Sequence, residues 1–480
     1  MNITLVGIVV IVLSIYAFFK NEKLLLDLLV FLSTFTALEV IDIKQTTTLI
    51  QSFEVVGVMW LLREIINFVK LKPKISKEII VNKFKTNKIA VAFLIFMMTI
   101  ILSEIALAVS GISIDYTDLN GNIQTVQFSI SNVTQPIMIL FIFVLMIALS
   151  FKIKTKEEIK RLIKVFCISS IFAVIWGLLQ FITFYLRIPY PAFLFNNNVF
   201  ALQYYGQIDN NIKRISSIAL EPSTFAINLI CFLPFLIGAF LKIKGNFKDK
   251  KNVLIFILLV LTTTCAILTT SSTAYIGLTV VYGLFLFYVL FWFIKNGELS
   301  NKKQNFMKIA VVTIISILLA VGLCITFVKI GYKLGTIEYI EKEIVKETEP
   351  EYNSAIDNIL STLKQMTIGK LKSQSGNERI QGETTGMSML RYSPIFGIGY
   401  CSYRTFNLLT NILLNMGIIG LGAYLYILYV VIKELIKYRK KDETISIVFL
   451  FSIIGTTVGF FVRGARFSVN ILLDYYCIGV

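Results

Sequence analysis

One stretch of this 480-residue chain concentrates charge where the surrounding sequence is apolar: Lys213-Arg214-Ile215-Ser216-Ser217, followed by Glu221-Pro222-Ser223-Thr224 and Ala226. Arg214 and Glu221 are seven residues apart, so on a continuous helix they would share one face about 10 Å apart along the axis. Pro222 falls four residues after Ile218 and predicts a kink or local opening of that helix, which frees backbone groups inside a bilayer. An ionisable side chain at such a depth is expensive and ordinarily faces a cavity and serves a function. The plainer alternative is a snorkelling Lys-Arg pair with an interfacial Glu beside it. The chain contains no histidine, which excludes a His-ligated metal, a His general base and a Ser-His-Asp triad.

The elements that hold these residues follow from composition. Hydrophobic residues make up 56% of the chain and charged ones 16%, against about 45–50% and about 25% in soluble domains. Such a chain cannot cover a water-soluble globule, so a soluble enzyme is excluded. Runs long enough for a spanning helix, about 20 residues, fall near 3–19, 24–41, 47–69, 88–110, 134–151, 160–186, 215–241, 252–270, 273–294, 307–329, 406–432 and 445–462. The expectation is an all-α polytopic membrane protein of about 12 transmembrane helices, a single integral membrane domain over 1–480. The connections 70–88, 152–164, 242–251, 295–308 and 433–441 hold 27 Lys and Arg, whereas 42–47, 111–133 and 271–273 hold 1. The basic set is therefore cytoplasmic, both termini fall outside unless the apolar tail 467–480 re-enters the membrane, and the net charge of +17 reflects loop bias, not nucleic-acid binding. The N-terminal run lacks a basic leader and a small-residue cleavage site, so it is expected to stay as the first helix. The six cysteines show no CxxC spacing and read as small hydrophobes.

Two outward connections are long: 187–214, and 330–405 with a Glu-rich half followed by a Lys/Arg-rich half. Ile340, Ile344, Ile356, Ile359, Leu360, Leu363 and Met366 recur at helical spacing across 337–373. A second short helix is expected from Gly376 to Arg391, stopped by Ser393-Pro394. Pro394-Ile395-Phe396-Gly397-Ile398-Gly399-Tyr400 then allows tight turns and close backbone approach. A connection of this length is expected to fold as a lid or binding element over the outer membrane face.

Taken in order, the pattern RxSSxxxEPSxxA, Arg379 before a short helix, the PIFGIG turn and Thr410-Asn411-Ile412-Leu413-Leu414-Asn415-Met416-Gly417-Ile418-Ile419-Gly420 resemble the O-antigen polymerase and O-antigen ligase superfamily of bacterial surface polysaccharides. The resemblance covers roughly 210–435, and the first half of the chain matches only in hydropathy. In the ligase branch a His-Asn pair, its histidine implicated in catalysis, opens the last of these motifs; here Thr410-Asn411 stands there, which favours the polymerase branch. Ser272-Thr273-Ala274 replaces the Ser-Arg-Gly frequent in the family, so another cation must supply that arginine's charge.

The resemblance implies a GT-C-like fold in the bacterial cytoplasmic membrane and a polymerase that joins polyprenyl-diphosphate-linked oligosaccharide repeat units on its outer face. The growing chain is the donor, a hydroxyl of the incoming unit attacks its anomeric carbon, and the lipid diphosphate leaves. Arginine forks are the best stabilisers of that leaving charge. Arg214 and Arg379 are the first choices, with Arg391 and Arg404 next and Lys213, Ser217, Asn411 and Tyr400 as further substrate-binding candidates. Glu221 either accepts the acceptor's proton or orients Arg214. No nucleotide sugar is needed and no DxD occurs in the outer loops, Asp115 and Asp118 looking like a turn, so no metal or other cofactor is expected. The expected partners are the lipid-linked glycan, the bilayer, and a flippase and chain-length regulator of the same pathway, with no nucleic acid. The alternatives are ligase-like glycan transfer and a lipid-linked oligosaccharide transporter or flippase. Glu54, Arg63 and Glu104 are further intramembrane ionisable positions. Arg463 and Arg466 either add positive potential to the cavity or anchor the interface, and Tyr204, Tyr205 and Tyr400 could stack on sugars.

Overall fold

The computed structural model describes residues 2–42, 50–71, 84–118, 121–153, 155–198, 212–241, 250–295, 313–326 and 374–463, with 82, 201, 208–209 and 311. The helical pattern over 337–373, Tyr204, Tyr205 and Arg466 lie outside the described residues. The helices are α1 (Leu5–Lys20), α2 (Glu22–Leu32), α3 (Ser52–Leu71), α4 (Lys88–Ser110), α5 (Ser131–Lys152), α6 (Lys156–Leu186), α7 (Ala192–Phe195), α8 (Pro222–Leu241), α9 (Lys250–Leu268) and α10 (Ser272–Lys295). They continue with α11 (Thr313–Thr326), α12 (Gln374–Met389), α13 (Leu408–Tyr438) and α14 (Glu443–Arg463). Each of the twelve apolar runs contains a helix. Among the described residues eight helices, α4, α5, α6, α8, α9, α10, α13 and α14, are long and apolar enough to cross a membrane, with α1 and α11 shorter. The protein is an all-α polytopic membrane protein whose strands are short: β1 (Asn2–Ile3), β2 (Glu39–Asp42) and β3 (Ile50–Gln51) form one antiparallel sheet, β4 (Ile114–Thr117) pairs antiparallel with β5 (Ile123–Val126), and β6 (Ile208–Asp209) with β7 (Ile212–Lys213).

Two runs that the sequence predicts as full spans are broken. α2 stops at Leu32 and the chain continues through 33–38 without helix. The helix expected over 215–241 begins only at Pro222. This corrects the placement of Arg214 and Glu221 on one helical face. Pro222 opens α8 instead of kinking it, because proline has no N–H and the first turn of a helix leaves that group without a partner anyway. The Glu221 carbonyl accepts the first helical bonds, from Thr224 (3.0 Å) and Phe225 (3.1 Å). The 252–294 run is a true pair, divided at Thr269-Thr270-Ser271, where Thr270 takes φ +48.

Helix packing follows the membrane pattern of small residues at close approaches. A side chain at Gly238 would meet Val448, one at Gly277 would meet Ile230, and one at Gly455 would meet Val281, which ties α8, α10 and α14 together. The strap end of this bundle, where α4, α6 and α9 stop and α5, α8, α10 and α13 start, carries everything that follows.

α13 has a break of its own. Gly417 has φ +67 and ψ −169, outside the helical region. The N–H groups of Ile418 and Ile419, released by the break, donate to Pro394 O (3.0 Å) and Ile395 O (3.3 Å), and Ile398 N–H donates to Leu414 O (3.0 Å). A Cβ at Gly417 would lie 2.0 Å from Ile395 O, and one at Gly397 (φ +76) would lie 2.3 Å from the Asn415 carbonyl carbon. The PIFGIG turn is thus a strip of backbone plugged into the break in α13.

Candidate active site

The site is built on two irregular, buried segments that face one another. Residues 215–219 are buried, from 0% exposure at Ile215, Ser217, Ile218 and Ala219 to 2% at Ser216. Non-helical backbone at this depth must find partners within the protein, and it does. Gln180 of α6 accepts from both Ser216 N–H (2.9 Å) and Ser217 N–H (2.8 Å) through its Oε1. Asn196 Nδ2 donates to Ser217 O. The 33–38 segment supplies the rest, with Ala37 N–H donating to Ile218 O (3.1 Å) and Leu220 N–H to Thr36 Oγ1 (3.0 Å). The α9–α10 turn holds the near end, accepting Ile215 N–H at Leu268 O (3.3 Å) and Arg214 Nε at Thr269 O (3.1 Å).

Ser217 belongs to this scaffold. It takes φ +53, and its hydroxyl donates to Ala173 O at 2.5 Å. Arg214, at the head of the strap, is half-buried and its Nε is held by a backbone carbonyl. Glu221 closes the strap at the α8 N-terminus, where a carboxylate is favoured by the helix dipole, and its Oε1 accepts from Ser223 Oγ at 2.6 Å.

Arg379 of α12 comes to the same place. Its guanidinium is held below its ordinary pKa first by burial and then by the positive charge of Arg214, with Glu221 opposing and Arg404 adding to the effect. Arg214, Glu221, Arg379 and Arg404 therefore form one electrostatic group, assembled from residues up to 190 positions apart. Phe406 serves two of them: the guanidinium carbons of Arg379 and Arg404 each lie 5.9 Å from its ring centroid, within cation–π range.

Glu383, one turn along α12 from Arg379, locks this corner. Its Oε1 accepts from Phe406 N–H and Asn407 N–H, both at 2.6 Å, and its Oε2 accepts the Thr410 hydroxyl. Thr410 opens the run Thr410-Asn411-Ile412-Leu413-Leu414-Asn415. Below it, Asn415 is 1% exposed, donates through Nδ2 to Tyr403 O (2.8 Å) and Asn411 O (2.9 Å), and accepts from Tyr403 N–H (3.1 Å). The β4–β5 hairpin buttresses α12 and α13 through a small apolar cluster of Ile114, Val126, Met389, Ile398 and Leu414. Asp115 and Asp118 are spent in that hairpin, accepting from Thr125 Oγ1 (2.6 Å) and Asn122 N–H (2.8 Å), as their turn-like sequence suggested.

Three further candidates have contacts of their own. Arg391 is exposed and turns onto its neighbour, its guanidinium carbon 5.0 Å from the Tyr392 ring. Tyr400 is 7% exposed and its backbone faces the Glu104 carboxylate. Lys213 lies over the Phe184 ring at 5.1 Å. Glu54 and Arg63 serve separate helix ends: Glu54 Oε2 accepts from Gln51 N–H (2.8 Å), and Arg63 Nη1 donates to Ala17 O (2.7 Å) and Phe18 O (2.6 Å) at the end of α1. Sequence reasoning passed over Gln180, Asn196, Glu383 and Phe406. Only Gln180, an amide inside a spanning run, carried a signal.

Residues 257–425 match the family model Wzy_C, described as O-antigen ligase. The match agrees with the O-antigen polymerase and ligase superfamily, whose members are glycosyltransferase-like membrane enzymes. It runs from α9 into the second half of α13 and takes in Arg379, Glu383, Arg404, Phe406 and Asn411, while Arg214 and Glu221 precede it. No curated protein matches the chain.

Proposed function

Starting from that superfamily, we propose that the protein is a polysaccharide polymerase: it joins polyprenyl-diphosphate-linked oligosaccharide repeat units at the strap end, on the outer face of a bacterial cytoplasmic membrane. The observation that supports this reading is that Arg379 feels the charges of Arg214, Arg404 and the Glu221 carboxylate together. The like charges of Arg214 and Arg404 repel the half-buried Arg379 guanidinium. A bound diphosphate relieves that repulsion and offers the paired oxygens that guanidinium forks fit.

In the step proposed, an acceptor hydroxyl oxygen forms a bond to the donor's anomeric carbon as the bond from that carbon to the diphosphate oxygen breaks. The electron pair leaves on the diphosphate, where the arginines stabilise it. Donors arranged in advance where charge develops are worth about 2.7–4 kcal/mol each. The hydroxyl proton passes to Glu221 or, if Glu221 serves only to orient Arg214, to a diphosphate oxygen. Glu383 is already occupied by two N–H groups and the Thr410 hydroxyl, so it fits a positioning role better than that of a base.

Transfer to a different acceptor, as a ligase performs, is the second reading, favoured by the printed description of the matching family. The two separate on incubating purified protein with one lipid-linked repeat unit alone. A polymerase yields a ladder of glycan lengths on lipid, whereas a ligase yields no ladder until a distinct acceptor is added.

A further inference from the structure

A second cationic place has none of Arg214, Glu221, Arg379 and Arg404 in its lining. Past the end of α6 the surface holds a cavity of about 420 Å³ lined by Thr183, Phe184, Arg187, Ile188, Tyr190 and Lys213, among others. That is within the range of small-ligand sites, about 300–1,000 Å³. Arg187 and Ile188 are exposed at its rim, whereas Thr183, Phe184 and Tyr190 are buried in its wall. Lys213 reaches over the Phe184 ring, and Arg187 holds a left-handed backbone conformation (φ 54) that ends α6.

The cavity is joined to the strap by named bonds. Tyr190 OH donates to Asn196 Oδ1 (2.6 Å), and Asn196 Nδ2 donates to Ser217 O. Thr183 Oγ1 donates to Gln180 O (2.8 Å), the residue whose side chain accepts from Ser216 and Ser217. Lys213 and Arg214 are adjacent in sequence, the first over Phe184 in the cavity wall and the second held by Thr269 O. An exposed apolar stripe of α6 runs up to the cavity: Ile168, Ile175, Ile182 and Leu186 are 45–58% exposed and recur at spacings of 7, 7 and 4 residues, Leu186 being the neighbour of Arg187. A ligand here would therefore be an anionic head group with an apolar tail along that stripe.

We infer that this cavity binds the diphosphate of a second polyprenyl-linked substrate, the acceptor, so that the chain carries two lipid-diphosphate sites that share no residue. The inference rests on the polymerase reading, in which two substrates, each bearing a diphosphate, must be held at once. The arginine group holds the diphosphate that leaves; Arg187 and Lys213 hold the one that stays on the product.

The test counts bound lipid by native mass spectrometry, using polyprenyl diphosphate and the full-length protein in phosphatidylcholine nanodiscs. Wild type should hold two per chain, and Arg187→Gln with Lys213→Gln should hold one. Arg187→Lys with Lys213→Arg keeps both charges and should hold two, which separates loss of charge from loss of folding. In the polymerisation assay the Gln pair should raise the acceptor KM at least about tenfold, the effect of losing one or two charge-assisted bonds, with a much smaller change in the rate at saturating acceptor. One lipid per chain in both wild type and the Gln pair would overturn the inference and leave the polymerase reading standing. Displacement of the second lipid by phosphatidylglycerol at equal concentration would also overturn it, since the cavity would then be a general anionic-lipid site. No bound polyprenyl diphosphate in wild type would overturn the polymerase reading itself.

Discussion

Arg379 and Arg404 share one aromatic ring: each guanidinium carbon stands 5.9 Å from the centroid of Phe406. The ring compensates in part for bringing two like charges together, one half-buried and one exposed, since each such contact contributes about 0.5–2 kcal/mol. Phe406 is itself held by Glu383, which accepts its N–H.

Replacing Phe406 by Leu keeps an apolar side chain and removes the π face. The expected outcome is a fall of about tenfold in polymerisation rate, equivalent to about 1.4 kcal/mol, with normal amounts of protein in the membrane. Initial rates with purified variant protein measure it.

Glu221→Gln keeps size and hydrogen bonding but offers no basic oxygen. If Glu221 takes the acceptor's proton, elongation should drop by about 10²–10⁴-fold while donor lipid still binds. If it only orients Arg214, elongation should fall by tenfold or less. Rate and donor binding, measured on the same preparation, separate the two roles.

Gln180→Leu deletes the acceptor for two buried N–H groups, and each left unpaired costs about 1–3 kcal/mol. Thermal unfolding in detergent should show a clear loss of stability. Gln180→Glu retains an acceptor oxygen and should be less damaging to the strap's backbone bonds than Leu.

Gly417→Ala and Gly397→Ala each place a Cβ against the other strand's backbone and strain a positive-φ residue, at a cost above about 1 kcal/mol. Because both disrupt the same contact between the turn and the α13 break, the double variant should be destabilised by less than the sum of the singles. The unfolding midpoints of the three variants provide the comparison.

The helices were legible because apolar runs of spanning length can hardly be anything else. What failed was the assumption that such a run is helical throughout. Ile215-Ser216-Ser217-Ile218-Ala219 is apolar enough to sit in a helix, and a buried irregular strap shows the same composition, so periodicity cannot separate them. Pro222 marked the place, yet a proline read in isolation fits a kink as well as a first turn. Arg214 and Glu221 were found because charge inside an apolar run is conspicuous. Arg379 and Arg404 became choices through the resemblance and their side of the membrane. Glu383 stayed hidden because a carboxylate on a polar helix is ordinary, and only its bonds to Phe406, Asn407 and Thr410 distinguish it. The second cavity draws on Arg187, Tyr190 and Lys213, which only the folded strap brings together.

The central claim is that Arg214 and Arg379 act together on one leaving diphosphate. The most direct measurement is the rate of polyprenyl diphosphate release from the lipid-linked donor for wild type, Arg214→Gln, Arg379→Gln and the double variant. Each single variant should lose about 10²–10³-fold, and the double should be little slower than the worse single, because both donors serve the same departing group. Release at near wild-type rate from either single variant, or fully multiplicative losses in the double, would contradict the account.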